Sequence, residues 1–89
     1  MRAVITVTGS DKVGIIAMAS AECSKHGVNI VDISQTVMQG YFTMMMAVDT
    51  SASALPLAEL AVSLEEKGKE MNLSIRLQRE DIFEAMHRV

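Results

Sequence analysis

The stretch VNIVDISQTVMQGYFTMMMAVDT, residues 28–50, contains two long apolar runs that meet at Gly40. Because glycine tolerates the positive φ of a tight turn, this segment predicts an antiparallel β-hairpin. In the second run, alternation places Met44 and Met46 on one face of the strand and Met45 on the other. We therefore expect the first two methionines in the core and the third outside it.

The first run of the hairpin breaks this alternation. Ile30 and Ile33 are an odd number of residues apart, so in a regular strand their side chains would point to opposite faces. Either a β-bulge restores a common face, or both faces of this strand are covered. In the second case, something must pack on the side away from the helices.

Further elements are predicted on both sides of the hairpin. They are a strand at residues 2–8, a helix from residue 13 or 14 to 26, a helix within residues 50–72, a strand at 73–78 and a short tail helix at about 81–88. Gly27 supplies the stop of the first helix, and Ser and Thr caps with Pro56 open the second. Asp81 is a candidate cap for the tail helix.

Both central helices show an apolar stripe. In the first helix the stripe consists of Ile15, Ile16, Ala19 and Cys23, while Glu22, Ser24 and Lys25 are expected to face outward. In the second it consists of Leu57, Leu60, Ala61, Leu64 and Gly68. We expect these stripes to pack on one sheet.

The order of elements is β-α-β-β-α-β with a tail helix, and it predicts a single domain over residues 1–89. The fold class is α+β: a ferredoxin-like split βαβ arrangement with a four-stranded antiparallel sheet, two helices on one face, and a short C-terminal helix. One sheet face is then left bare. Self-association of a small domain would bury such a face and is therefore favoured.

Composition excludes several classes of function. The chain has 89 residues, a net charge of −3 and scattered basic residues, so no nucleic-acid partner is expected. No apolar run is long enough for a membrane span or for the core of a signal peptide. The single cysteine fits a reducing compartment, and we expect a cytoplasmic protein.

Few residues invite a catalytic interpretation. His26 and His87 are far apart and lack neighbours at metal-ligand spacing, and Cys23 on its apolar stripe is expected to be a buried small hydrophobe. No nucleophile–base pair is visible. We therefore expect no enzyme activity, no metal and no cofactor.

One pattern resembles a known family. The matching residues are Asp11, Lys12, Gly14, Gly27, Asn29 and Ile30. Their order, a strand followed by Asp-Lys-x-Gly, a helix and Gly-x-Asn-Ile, resembles the ACT domain, a small regulatory module of amino-acid metabolism. The ending SIRLQREDIFEAMHRV is similar to that of stand-alone ACT-domain proteins, a group similar to the ACT portion of the glycine cleavage system transcriptional repressor. Val13 stands where the family usually has Pro, which leaves the loop freer.

The resemblance implies a ligand site made by Asp11, Gly14, Asn29 and Ile30. Ligands of the family lie between the loop after the first strand of one subunit and the second strand of a neighbour. Free N–H groups at the helix start suit a carboxylate, and Asp11 suits an ammonium group. In the alternative interpretation, Asp11 caps the helix, Gly14 serves packing and Asn29 holds a turn.

Two functions follow from the resemblance. The first is a non-catalytic regulatory domain that binds a small effector, an amino acid in the first instance, at a homodimer interface. The second is a protein-interaction module of the same fold without a small ligand. For the tail, Ile82, Phe83 and Met86 are predicted to pack against a partner subunit, while the alternative is that the tail covers a sheet edge.

Overall fold

The computed structural model describes residues 1–10 and 13–87, so the predicted ligand residue Asp11 lies outside the described residues. Its elements are β1 (Arg2–Ser10), α1 (Ile15–Lys25), β2 (Asn29–Met38), β3 (Tyr41–Asp49), α2 (Leu57–Glu70), β4 (Leu73–Arg79) and α3 (Glu80–His87). The strands form one sheet in the order β2-β3-β1-β4, and all neighbouring pairs are antiparallel. The predicted ferredoxin-like fold is confirmed.

The β2–β3 hairpin closes with a two-residue turn. Gln39 and Gly40 both have positive φ, 51° and 82°, as a type I′ turn requires. Near the other end of the hairpin, the register shifts between Ile30 and Asp32, so that Ile30 lies opposite Val48. This shift is a β-bulge, which confirms the first of the two explanations for the broken alternation.

The core lies between α1, α2 and one sheet face, which we call the inner face. Met44 and Met46 on β3 are completely buried there, while Met45 faces the opposite, outer face and is exposed. Cys23 is buried in the same cluster. The predicted stripe of α2 is likewise confirmed, because Leu60, Leu64 and Gly68 are buried.

The prediction for Glu22 was wrong. It was expected to face outward, yet it is buried together with Ile15, Ala19 and Cys23. Glu22 follows Ala19 by three positions and therefore lies on the same side of the helix. Ile16, assigned to the buried stripe, is instead exposed.

The caps of α2 also differ from the prediction. Pro56 occupies the N-cap position, and no side chain within the described residues makes a capping hydrogen bond there. Ser53 instead binds within the preceding turn, where its hydroxyl accepts from the Leu55 N–H (3.2 Å) and donates to the Leu55 carbonyl (2.9 Å). Proline can open a helix without a capping side chain because its φ is already suitable.

The tail helix α3 folds back onto the outer face of its own sheet. It contacts β1 and β4, and Gln78 on β4 donates a hydrogen bond to the Met86 sulfur at 3.3 Å. Val4, which points outward from β1, is only 9 % exposed. The chain itself thus covers the part of the outer face around Val4, while Thr8, Ser74 and Arg76 on the same face stay exposed.

Candidate functional site

An open groove of about 380 Å³ lies between the start of α1 and the end of β2. Its lining residues are Gly14, Ile15, Ile16, Ala17, Gln35, Val37 and Phe42. Gly14 is the N-cap of α1 with φ 94°, a left-handed conformation that L side chains rarely adopt. The predicted ligand residue Gly14 therefore borders a concavity.

The start of α1 offers hydrogen-bond donors to this groove. The first intrahelical bond joins the Met18 N–H to the Gly14 carbonyl at 2.9 Å, and none of the side chains described caps the helix. N–H groups of a first helical turn lack intrahelical partners and carry partial positive charge. No acidic residue lies in that turn. Such a terminus can accept a carboxylate group.

The other two predicted ligand residues lie at the opposite end of the sheet. Asn29 begins β2 and is exposed, eight residues before Val37, which corresponds to about 25 Å of strand. Ile30 packs its side chain against the core, so only its backbone could face a ligand. Within one chain, the structure does not bring Gly14 together with Asn29 and Ile30.

Gln35 and Val37 were not predicted as groove residues. They lie opposite Met44 and Phe42 in the β2–β3 register, and both partners are buried on the inner face. The odd spacing of Ile30 and Ile33 could have identified them, because it indicates a β-bulge. After a bulge, every later residue of β2 points to the face opposite to the one expected from regular alternation. Gln35 supplies the polar side chain of the groove wall.

A polar cluster joins α1 to α2 near their buried sides. The Glu22 carboxylate lies 3.4 Å from the Ser63 hydroxyl, 3.6 Å from His26 Nε2 and 3.9 Å from Lys67 Nζ. Ser63 is also 3.5 Å from that same Nε2 atom. A catalytic relay needs the carboxylate and the nucleophile on different ring nitrogens, so this arrangement links two helices rather than activating Ser63.

Cys23 has the properties of a core residue. Burial, with a smaller contribution from the charge of Glu22, raises the pKa of the Cys23 thiol to about 11. The thiolate is the reactive form of cysteine, and it is disfavoured here. The sequence interpretation of Cys23 as a small buried hydrophobe is confirmed.

The sequence model of the ACT domain matches residues 2–78. The chain belongs to the ACT domain family. ACT domains are regulatory, generally non-catalytic domains that bind small ligands. The match ends before α3, so the tail helix lies beyond the matched residues.

Relatives with high identity extend over the whole chain. A UPF0237 protein of Clostridium acetobutylicum is 51% identical over 89 residues, which is 100% of both chains. Among solved structures, an ACT domain protein from Streptococcus pneumoniae is 45% identical with a TM-score of 0.82, covering 98% of each chain. A putative glycine cleavage system transcriptional repressor matches with a TM-score of 0.73 and 24% identity, over 86% of this chain and 44% of its own. The last match supports the fold alone.

The described part of the chain was compared with the features of a membrane-spanning helix and of a metal site. Over residues 1–10 and 13–87, no helix is long and apolar enough to cross a membrane. Within the same ranges, no three His, Cys, Asp or Glu side chains cluster as metal ligands.

Proposed function

We propose that this protein is a regulatory ACT domain that binds a free amino acid between two copies of the chain. In this proposal the copies pair through their β2 edges, and each ligand contacts both. Ligand binding stabilises the paired form and so alters the interaction of the dimer with a regulated protein. We assign this function to the cytoplasm, where a single unpaired cysteine is expected.

The observation that carries the proposal is the open edge of β2. This strand has ten residues and none of them is buried. Its only charged residue is Asp32, and its outer backbone groups have no neighbouring strand in the sheet. An exposed edge of this length is a ready template for pairing with another strand.

Antiparallel pairing of two β2 edges would also join the separated ligand residues. A two-fold axis near Ile33 and Ser34 sets the Asn29 end of one copy beside the Met38 end of the other. The groove at Gly14 lies at that second end. This geometry supports a site with Gly14 from one copy and Asn29 and Ile30 from the other, and we propose Asp11, three residues before Gly14 in the sequence, as a further ligand residue.

The groove also favours a class of amino acid. Ile16, Val37 and Phe42 give it an apolar lining, which suits an aliphatic or thioether side chain. The N–H groups at the start of α1 suit the α-carboxylate, and Asp11 suits the α-ammonium group. Gln35 and Asn29 can each donate and accept hydrogen bonds.

A thermal-shift screen of the twenty amino acids, followed by calorimetry on any that stabilise the protein, tests the ligand. We expect stabilisation by one or more apolar amino acids. The variant Asn29→Ala should remove it, while Ser24→Ala, at an exposed polar position on α1, should retain it. A panel without any response, or equal responses of both variants, would overturn the amino-acid site.

Light scattering tests the pairing separately. Ile33→Lys places two like charges near the proposed axis and should give monomers, whereas Val62→Lys, at an exposed apolar position on α2, should leave the dimer intact. A monomeric parent protein, or a dimer that survives Ile33→Lys, would contradict the β2 pairing.

The second candidate is a protein-interaction module in which the tail helix contacts a partner subunit. It is favoured by the exposure of Ile82 and Met86, 47% and 62%, although Phe83 is half-buried against its own sheet. In the light-scattering experiment, Ile82→Asp discriminates the two. It should leave a β2-paired dimer unchanged and should dissociate a dimer that uses α3.

A further inference from the structure

A second concavity, of about 200 Å³, lies on the outer face beneath α3. It is lined by Thr6, Met45, Arg76, Gln78, Phe83 and Met86. From this lining, we propose that the pocket binds a small carboxylate with an apolar body, of the arylacetate or short fatty-acid type. This site is distinct from the groove at Gly14.

The floor of the pocket follows from the strand register. Arg76 on β4 pairs with Thr6 on β1, and Thr6 pairs in turn with Met45 on β3. Directly opposite residues on one sheet face have Cβ atoms about 5 Å apart, so these three side chains form one continuous row. A cation, a hydroxyl and a thioether are therefore presented side by side.

Arg76 is available to an anion. The ion pairs found in the described ranges 1–10 and 13–87 involve Arg2 and Arg79 but not Arg76. Among the residues that the structure describes, the Gln78 side chain donates only to the sulfur of Met86, which is a weak acceptor. A guanidinium group matches a carboxylate through two parallel hydrogen bonds, and a nearby amide can add a third.

The walls define the rest of the ligand. Phe83 and Met86 from α3 and Met45 from β3 are apolar, and they surround the donors on the sheet. Such walls disfavour a strongly hydrated inorganic anion and favour an aromatic ring or short alkyl chain. The pocket is smaller than the sites of about 300–1,000 Å³ that hold drug-sized molecules, so the ligand must be small.

The site is independent of the β2 edge. Its floor consists of β3, β1 and β4, with β4 at the edge of the sheet opposite β2. Because α3 supplies one wall, a bound carboxylate would fix the tail helix on the outer face. The proposal therefore assigns α3 a binding role that stands whether or not an amino acid binds near Gly14.

Backbone NMR of the full chain, titrated with phenylacetate, tests the proposal. We expect saturable shifts of the Thr6, Gln78 and Phe83 amides and none at Gly14. Arg76→Gln should weaken binding at least about tenfold, Arg76→Lys should be intermediate because it keeps only the charge, and Lys25→Gln, the same charge change on α1, should have no effect.

A ligand without the carboxylate tests whether Arg76 recognises the charge. 2-Phenylethanol keeps the ring but lacks the carboxylate, so it should not bind at the concentrations where phenylacetate does. The proposal is overturned if phenylacetate produces no saturable shifts, if the alcohol binds equally well, or if Arg76→Gln and Lys25→Gln have the same affinity.

Discussion

The two edges of the sheet are built differently. At one edge, β4 has seven residues, buries Leu73 and Ile75 against α2, and carries two arginines. At the other edge, β2 has ten residues, buries none of them, and carries one charge. Helix α2 packs closely on β4, whereas α1 leaves β2 largely uncovered.

This difference indicates that the two edges have different roles. A short, charged edge under two helices resists further pairing, while a long, nearly uncharged edge invites it. The β4 side therefore contributes to the stability of the single chain. The β2 side contributes little within one chain, which is why we connect it with a second copy.

The largest expected effect comes from replacing one isoleucine by alanine in each edge strand, Ile75 in β4 and Ile33 in β2. Ile75→Ala removes a side chain that is 3% exposed and should lower the free energy of unfolding by about 3 kcal/mol. Ile33→Ala removes one that is 40% exposed and should cost less than about 1 kcal/mol in the monomer. Urea unfolding at several protein concentrations separates this cost from any effect on pairing. If the two variants lose the same free energy of unfolding at low protein concentration, the two edges do not differ as we describe.

The next effect is a pH dependence from Cys23, which lies on the buried side of α1. Its thiol pKa is raised from 9.0 to about 11 in the folded state, so the folded chain holds the proton more tightly than the unfolded chain. The associated stability is complete below about pH 9 and is lost as the pH rises to about 11, by about 2–3 kcal/mol.

Cys23→Ala isolates this contribution, because the other groups that titrate in the same range remain. Unfolding free energies of the parent and the variant, measured from pH 7 to 11, should converge above pH 9. If the free energies of unfolding of the parent and the variant stay parallel over this pH range, burial does not raise the pKa of the Cys23 thiol.

A smaller effect is expected where α2 approaches β4. A Cβ added at Gly68 would lie 2.8 Å from both Ile75 Cγ1 and the Leu73 carbonyl oxygen. Gly68→Ala should therefore destabilise the protein by about 1–2 kcal/mol, although alanine favours helices. Comparing Glu66→Gly with Glu66→Ala, at an exposed position of α2, measures the helix preference alone. If Gly68→Ala is stabilising, the close packing at the β4 edge is not as we describe it.

Local pattern was enough to predict most of the fold. Alternation in β3 separates Met44 and Met46 from Met45, and the stripe of α2 identifies Leu60, Leu64 and Gly68. These patterns are reliable because side-chain direction repeats every second residue in a strand and about every 3.6 residues in a helix. The charge of Glu22 favoured an outward position, but its place three residues after Ala19 puts it on the buried side of α1.

The sequence by itself determined the order of the elements, the hairpin at Gly40 and the family motif around Gly14 and Asn29. Only the tertiary structure decided that Gly14 and Asn29 do not meet within one chain, because the groove at Gly14 borders the end of β2 whereas Asn29 begins that strand. It also decided that the bulge turns Gln35 into the groove and that α3 forms one wall of a pocket whose floor includes Arg76. The physical reason is that local periodicity fixes where a side chain points, whereas strand pairing and helix docking fix what it faces.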